Sequence, residues 1–147
     1  LYHPNKPIYK DHFGAGLDQQ SKQGDFYIEL GINGSYFGGG YWHPSSKILK
    51  SIREAIDYDG QILLEIIHKN SFNKMFGELI EGESLKTAPK GFSIDHKYID
   101  LLRRKSFAAS CSLSENEIVQ ESFDDKVIAI YKELLPFRRY LNNAVTV

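Results

Sequence analysis

The sequence has few of the residues that build the simplest kinds of functional site. It contains one cysteine, Cys111, so neither an internal disulfide nor a multi-cysteine zinc site can form. Its 18 Lys and Arg residues are balanced by 19 Asp and Glu residues, and a net charge of −1 argues against nucleic acid as a partner. No apolar run approaches the ~20 residues of a membrane helix. We therefore expect no membrane partner, and nucleic-acid binding is left only as a weaker third option, through Lys97, Arg103, Arg104 and Lys105.

Metal and cofactor motifs are missing as well. The five histidines form neither H-E-x-x-H nor another metal-ligand spacing. The glycines at Gly38–Gly40 are not followed by the Gly-Lys-Ser/Thr of a phosphate-binding loop. No G-x-S-x-G motif is present, and Cys111 lies in a predicted strand, where it is expected to be a small buried side chain. We predict no metal and no cofactor, and we name neither a nucleophile nor a general base.

What is present is typical of a folded globular chain. The 147 residues are 41% hydrophobic and 13% aromatic, which predicts one domain, residues 1–147, with a substantial core. The chain begins at Leu1 without a visible leader peptide. Together with the single cysteine, this favours the cytoplasm. The missing initiator Met predicts that the chain is the C-terminal part of a longer protein.

The first half predicts antiparallel strands. Apolar and polar residues alternate after Gly24, Asn33-Gly34 supplies a hairpin turn, and the chain returns as a strand to Tyr41. A weaker strand is predicted over residues 9–17. The three glycines at Gly38–Gly40 leave two interpretations open: a bulge or close approach of another backbone, or a place where a ligand reaches the main chain.

Helices and further strands follow. Helical spacing predicts a helix capped by Ser45 or Ser46, a break at Asp59-Gly60, and a second helix. Strands are predicted over residues 78–81, 85–88 and 106–113, a helix from His96 to about Arg104, and a last helix that bends or restarts at Pro136. This order predicts an α+β fold, in which an antiparallel sheet built on a Gly- and aromatic-rich meander packs against several helices.

Two polar and aromatic groups form the candidate ligand site. Lysine, tyrosine and asparagine donors are dense near the N-terminus, and an aromatic pair with an arginine follows the meander. If the first strand lies beside the hairpin, both groups can line one cleft, where the cations would hold an anion and the aromatic side chains would form a flat wall. The candidate residues are Asn5, Lys6, Tyr9, Lys10, Tyr41, Trp42 and Arg53. Solvated lysines and core aromatics remain the other interpretation.

Several stretches of the chain resemble a bacterial domain-of-unknown-function family, number 2461. The signature of that family is R-x-x-R-D-x-R-F-x-x-x-[DN]-K-x-x-Y, and Asn5, Lys6 and Tyr9 match its last three defined positions. Leu1 departs from the signature, which has Phe there. Further similar stretches are the glycine segment that ends at Pro44, the helix around Arg53, the turn Pro89-Lys90-Gly91-Phe92, the passage 101–107 and the closing helix.

The resemblance implies where a functional site would lie, but it does not imply a particular reaction. It implies a missing N-terminal portion of the same protein, which would pack on this domain and complete the charged signature. Such a signature is typical of an anion-binding site or of a buried ion network. We therefore keep two hypotheses: a domain, or an enzyme of unknown reaction, that binds a small anionic ligand, and a structural or protein-interaction module.

Overall fold

Four strands form one antiparallel sheet in chain order. The computed structural model describes residues 12–17, 25–31 and 34–146. The first three strands form a meander, and the fourth pairs with the third after the helices have intervened. The strands are β1 His12–Leu17, β2 Asp25–Gly31, β3 Ser35–Tyr41 and β4 Phe107–Leu113. The predicted hairpin and the predicted antiparallel sheet are confirmed.

Five helices complete the described part of the chain, and the α+β fold class is confirmed. They are α1 Ser46–His68, α2 Asn70–Phe76, α3 Ile99–Leu102, α4 Glu115–Ile118 and α5 Phe123–Ala144. Helix α5 packs against β3, α2 packs against β4, and α1 packs against α5. Within the described ranges, no helix is both long and apolar enough to cross a bilayer.

Aromatic rings form the contact between the sheet and the helices. Phe26 and Phe37 stack across β2 and β3 with ring centroids 5.8 Å apart, and both are buried. Phe72 of α2 meets Phe137 of α5 at 5.7 Å. The alternation of side chains along β2 and β3 places Phe26 and Phe37 on the same face of the sheet, as the period of a half-buried strand requires. The core therefore lies between this face and helices α2 and α5.

The two helices predicted on either side of Asp59 form one element with a break. The Ser45 hydroxyl accepts a hydrogen bond from the backbone N–H of Ile48 and caps α1, as predicted. Asp59 has φ −142° and ψ 36°, which is not helical. Gly60 follows, and a Cβ built on it would lie 2.7 Å from the Tyr98 ring. The break and the glycine therefore let Tyr98 approach the backbone of α1.

The segment from residue 77 to residue 98 differs from its prediction. The strands expected over 78–81 and 85–88 are wrong, since this segment makes only one bridge, between Ser84 and Arg104. Its backbone N–H groups donate to scattered carbonyls, such as Ile80 to Ala108 and Leu85 to Arg103, instead of to one partner strand. The helix expected from His96 is also shorter, because the Tyr98 N–H donates to His96 Nδ1 and stays outside α3.

The environment of Gly40 distinguishes between the two interpretations of the three glycines at that position. Its φ is +122°, and a Cβ built there would lie 2.1 Å from the Phe107 carbonyl oxygen. That distance is far inside van der Waals contact, so β4 crosses where a side chain would be. At Gly40 the close approach of another backbone, one of the two interpretations, is therefore correct.

Gly40→Ala should destabilise the protein much more than Gly34→Ala does. Both glycines have a positive φ, so both alanines carry backbone strain of about 1–2 kcal/mol. Only Gly40 also meets a neighbouring backbone, whereas nothing lies within 4 Å of a Cβ at Gly34. Urea unfolding should show an additional loss of about 2 kcal/mol or more for Gly40→Ala. Equal losses for the two variants would contradict this packing.

Candidate functional site

The structure describes some of the predicted site residues and not others. Asn5, Lys6, Tyr9 and Lys10 lie outside the described residues. The strand that follows them begins at His12, which pairs with Gly31. Tyr41 pairs with Phe107 at the opposite end of the sheet. The described part of β1 thus starts at the far end of the sheet from Tyr41.

Tyr41 and Trp42 are neighbours in sequence with different environments. Tyr41 is 6% exposed, and its hydroxyl donates a hydrogen bond of 2.8 Å to Asn142 Oδ1 in α5. Trp42 is 52% exposed and lines a groove of about 410 Å³ together with Tyr36, Ile80 and Ser110. Tyr41 therefore belongs to the core, and Trp42 belongs to the surface.

Arg53 lies in a different cavity, between α1 and the turn Pro89–Phe92. Its Nε donates to the Leu102 carbonyl at 2.8 Å, and its Nη2 donates to the Arg104 carbonyl at 3.2 Å. Burial lowers the pKa of the guanidinium. The two bonds fix the plane of the guanidinium at the edge of the cavity.

We call this cavity the cation cleft, because three cationic side chains line it. Its volume is about 650 Å³. The lining includes both acidic and apolar groups, contributed by α1 and by the turn. It consists of Lys50, Arg53, Glu54, Asp57, Pro89, Lys90, Gly91 and Phe92. The three positive charges therefore exceed the two negative charges by one.

The two acidic side chains of the cation cleft have partners of their own. Asp57 Oδ1 lies 2.6 Å from His96 Nε2. Because His96 Nδ1 accepts the N–H of Tyr98, Nε2 is the nitrogen that carries the proton and donates to Asp57. Glu54 pairs with Lys50 at 3.9 Å, one helical turn away. The Lys50 pair is exposed and long, so it holds Lys50 only weakly.

A tight turn forms the outer wall of the cation cleft. The Phe92 N–H donates to the Pro89 carbonyl at 3.1 Å, and Gly91 between them has φ +92°. This is the geometry of a type II turn, which requires glycine at its third position. The ring of Phe92 meets the ring of His96 edge-on at 6.0 Å. The turn therefore contributes Lys90 and Phe92 to the lining of the cleft.

Arg103 and Arg104 donate hydrogen bonds to main-chain carbonyls in and beside residues 77–98, which we call the irregular segment. Arg103 Nε donates to the Leu85 carbonyl at 2.6 Å, and Arg104 Nε donates to the Ser106 carbonyl at 3.0 Å. Arg104 Nη2 also donates to the Ile80 carbonyl at 2.5 Å. Burial lowers the pKa of Arg104. These bonds make the two arginines structural clamps.

Comparison with family models identifies the chain's relatives. A model described as "Conserved hypothetical protein (DUF2461)" matches residues 2–140, nearly the whole chain. The chain belongs to the DUF2461 family. No curated protein and no solved structure matches it. The family description names no activity, so the match shows which family the chain belongs to and assigns no reaction to it.

Two of the three cationic residues of the cation cleft were not among the candidates that the sequence offered. Lys50 lies three positions before Arg53 on α1, and Lys90 is the second residue of the Pro-Lys-Gly-Phe turn of this DUF2461 member. The signal for Lys50 was the helical spacing of residues 50, 53, 54 and 57 on one face. For Lys90 no local signal exists, since only tertiary packing brings the turn to α1.

Arg53→Lys should lower stability although it keeps the positive charge. A lysine ammonium cannot reproduce the planar fork that reaches two carbonyls, so at least one carbonyl loses its donor. We expect a loss of about 1–3 kcal/mol in chemical denaturation. Lys50→Gln, an exposed neighbour in the same cleft, should change stability by no more than about 0.5 kcal/mol. Equal effects of the two variants would refute the clamping role of Arg53.

Proposed function

We propose that the chain binds a small organic anion, bearing a phosphate or a carboxylate group, in the cation cleft. The observation that carries the proposal is the convergence of Lys50, Arg53 and Lys90 on one cavity from two separate parts of the chain. A cavity of about 650 Å³ lies within the range of small-molecule sites. The proposal concerns binding and assigns no reaction.

Arg53 has donors left for a ligand. A guanidinium carries five N–H groups, and the two carbonyl bonds use one on Nε and one on Nη2. The remaining three can reach an anion without breaking either bond. Because burial already disfavours the charged guanidinium, a bound anion would restore part of its lost solvation. Arg53 is therefore positioned in advance, which reduces the entropy cost of binding.

The acidic residues of the cation cleft leave its cations available to bind an anion. Asp57 is already bound by the Nε2 proton of His96, which satisfies one of its oxygens without using a cation of the cleft. The Lys50–Glu54 pair is weak, so Lys50 can turn to a ligand at little cost. Phe92 and Pro89 add apolar surface beside the cations. These groups favour an anion attached to an apolar body.

We propose further that Asn5, Lys6, Tyr9 and Lys10 contribute to the same site. Their support is the density of donors in that stretch and its agreement with the family signature. Lys6→Ala should then weaken anion binding in calorimetry without a large loss of stability. The same variant should leave binding unchanged if Lys6 lies elsewhere.

A structural role is the second candidate, and the arginine bonds favour it. Arg53, Arg103 and Arg104 all donate to main-chain carbonyls. A module that uses its charged signature as an internal network would show this pattern. On this view Lys6→Ala lowers stability, and no ligand restores it.

Calorimetric titration with phenyl phosphate, benzoate and inorganic phosphate tests the anion proposal. We expect saturable binding of at least one of them to the wild-type chain and a loss of about tenfold in affinity for Lys90→Gln. Lys90 is exposed, so its replacement should leave the fold intact. Lys47→Gln removes an equal charge from α1 outside the cleft and should bind like wild type.

Two results would contradict the anion proposal. One is the absence of saturable binding of all three anions at low salt, where electrostatic attraction is strongest. The other is an equal loss of affinity in Lys90→Gln and Lys47→Gln, because this would indicate attraction by overall charge instead of by the cation cleft. The structural candidate would then be the better account.

A further inference from the structure

A second cavity lies between α1 and α5, away from the cation cleft and without its charges. Its volume is about 350 Å³. Five of its described lining residues are apolar: Ala55, Ile62, Ile66, Pro136 and Ala144. The other three are Asp59, Tyr140 and Asn143, and of these only Asp59 has a carboxylate side chain. We call this cavity the α1–α5 slot.

Each of the two long helices departs from the regular helical pattern beside this slot, α1 in its backbone angles and α5 in one hydrogen bond. Asp59 interrupts α1 with a backbone conformation outside the helical region. Pro136 lies inside α5 and has no N–H, so the Lys132 carbonyl lacks its usual donor from that position. Such interruptions lower helix stability and are common where a protein forms a site. Here two of them border one cavity from opposite sides.

The carboxylate of Asp59 is oriented and only partly satisfied. The Tyr140 hydroxyl donates to Asp59 Oδ1 at 2.7 Å across the slot. No residue in the described part of the chain donates to Oδ2. Burial, followed by the bond to Asp59, raises the pKa of Tyr140 strongly, so the phenol keeps its proton and remains a donor. One oxygen of Asp59 is thus held by tyrosine, and the other is available.

Asn143 supplies a second acceptor one helical turn further along the slot wall. It lies three positions after Tyr140 on α5, and residues at this spacing lie on the same helix face. Its side chain makes no hydrogen bond to any described residue, so its amide oxygen can accept one from a ligand. The slot therefore combines one negative charge, one amide acceptor and apolar walls.

We propose that the α1–α5 slot binds a primary ammonium group carried on an apolar body. The ammonium would donate to Asp59 Oδ2 and Asn143 Oδ1, and the apolar body would lie against Ile62, Ile66 and Pro136. An ammonium offers three donors and a positive charge, which match a carboxylate and an amide oxygen. A neutral alcohol lacks the charge, and an anion would be repelled by Asp59.

Titration with benzylammonium chloride, followed by two-dimensional amide NMR at neutral pH, tests this site. We expect saturable shifts of the Asn143 side-chain amide and of backbone amides around Asp59 and Tyr140. Benzyl alcohol, which has the same ring and no charge, should bind at least about tenfold more weakly. Lys90→Gln, which alters the cation cleft, should leave benzylammonium binding unchanged.

Asp59→Asn is the matched variant. Its amide oxygen can still accept from Tyr140, so the contact between the helices is kept while the charge is removed. Benzylammonium affinity should fall at least about tenfold in this variant, while its far-UV circular dichroism stays that of wild type. The inference is overturned if benzyl alcohol binds as tightly as benzylammonium, if Asp59→Asn keeps full affinity, or if no amide at the slot shifts.

Discussion

The carbonyl groups of the irregular segment between α2 and β4 depend on hydrogen bonds from arginine. Without a regular helix or strand, the backbone from residue 77 to residue 98 pairs only some of its carbonyls with main-chain N–H groups, and buried carbonyls without donors are costly. Arg103 donates to the Leu85 carbonyl and Arg104 to the Ile80 carbonyl in this region. From α1, Arg53 donates to the carbonyls of Leu102 and Arg104, which follow the region in sequence. The Arg53 bonds tie the stretch between α2 and β4 to α1, and the Pro89–Phe92 turn of that stretch forms one wall of the cation cleft.

Helix α1 supplies one wall to each of the two cavities, and its period separates their chemistry. Residues 50, 53, 54 and 57 follow the i, i+3, i+4, i+7 spacing of one face and carry the charges of the cation cleft. Residues 55, 59, 62 and 66 follow the same kind of spacing on another face and line the α1–α5 slot. One cavity has an excess of positive charge, and the other has a single carboxylate. The two proposed ligands therefore have opposite charges.

The sequence predicted the elements in which local pattern and packing agree. Alternation from Phe26 onward required a strand with one buried face, and the apolar stripe of α1 required a helix against the core. The break at Asp59-Gly60 was also predicted, because glycine and aspartate are poor helix formers. What failed was the segment from residue 77 to residue 98. Its short apolar runs look like strands, but they have no neighbouring strand with which to form a ladder.

The candidate site, too, could be predicted only where a local sequence pattern indicates a residue, and not where tertiary packing brings residues together. Arg53 was identified because it falls outside the apolar stripe of its helix, which local spacing can show. Its partners could not be identified, because Leu102, Arg104 and Lys90 reach it only through the path of the irregular segment. Trp42 was predicted to share a cleft with Arg53, yet the two line different cavities. Clusters along the chain therefore indicated which side chains are unusual, and the tertiary path of the chain between α2 and β4 determined which of them line one cavity.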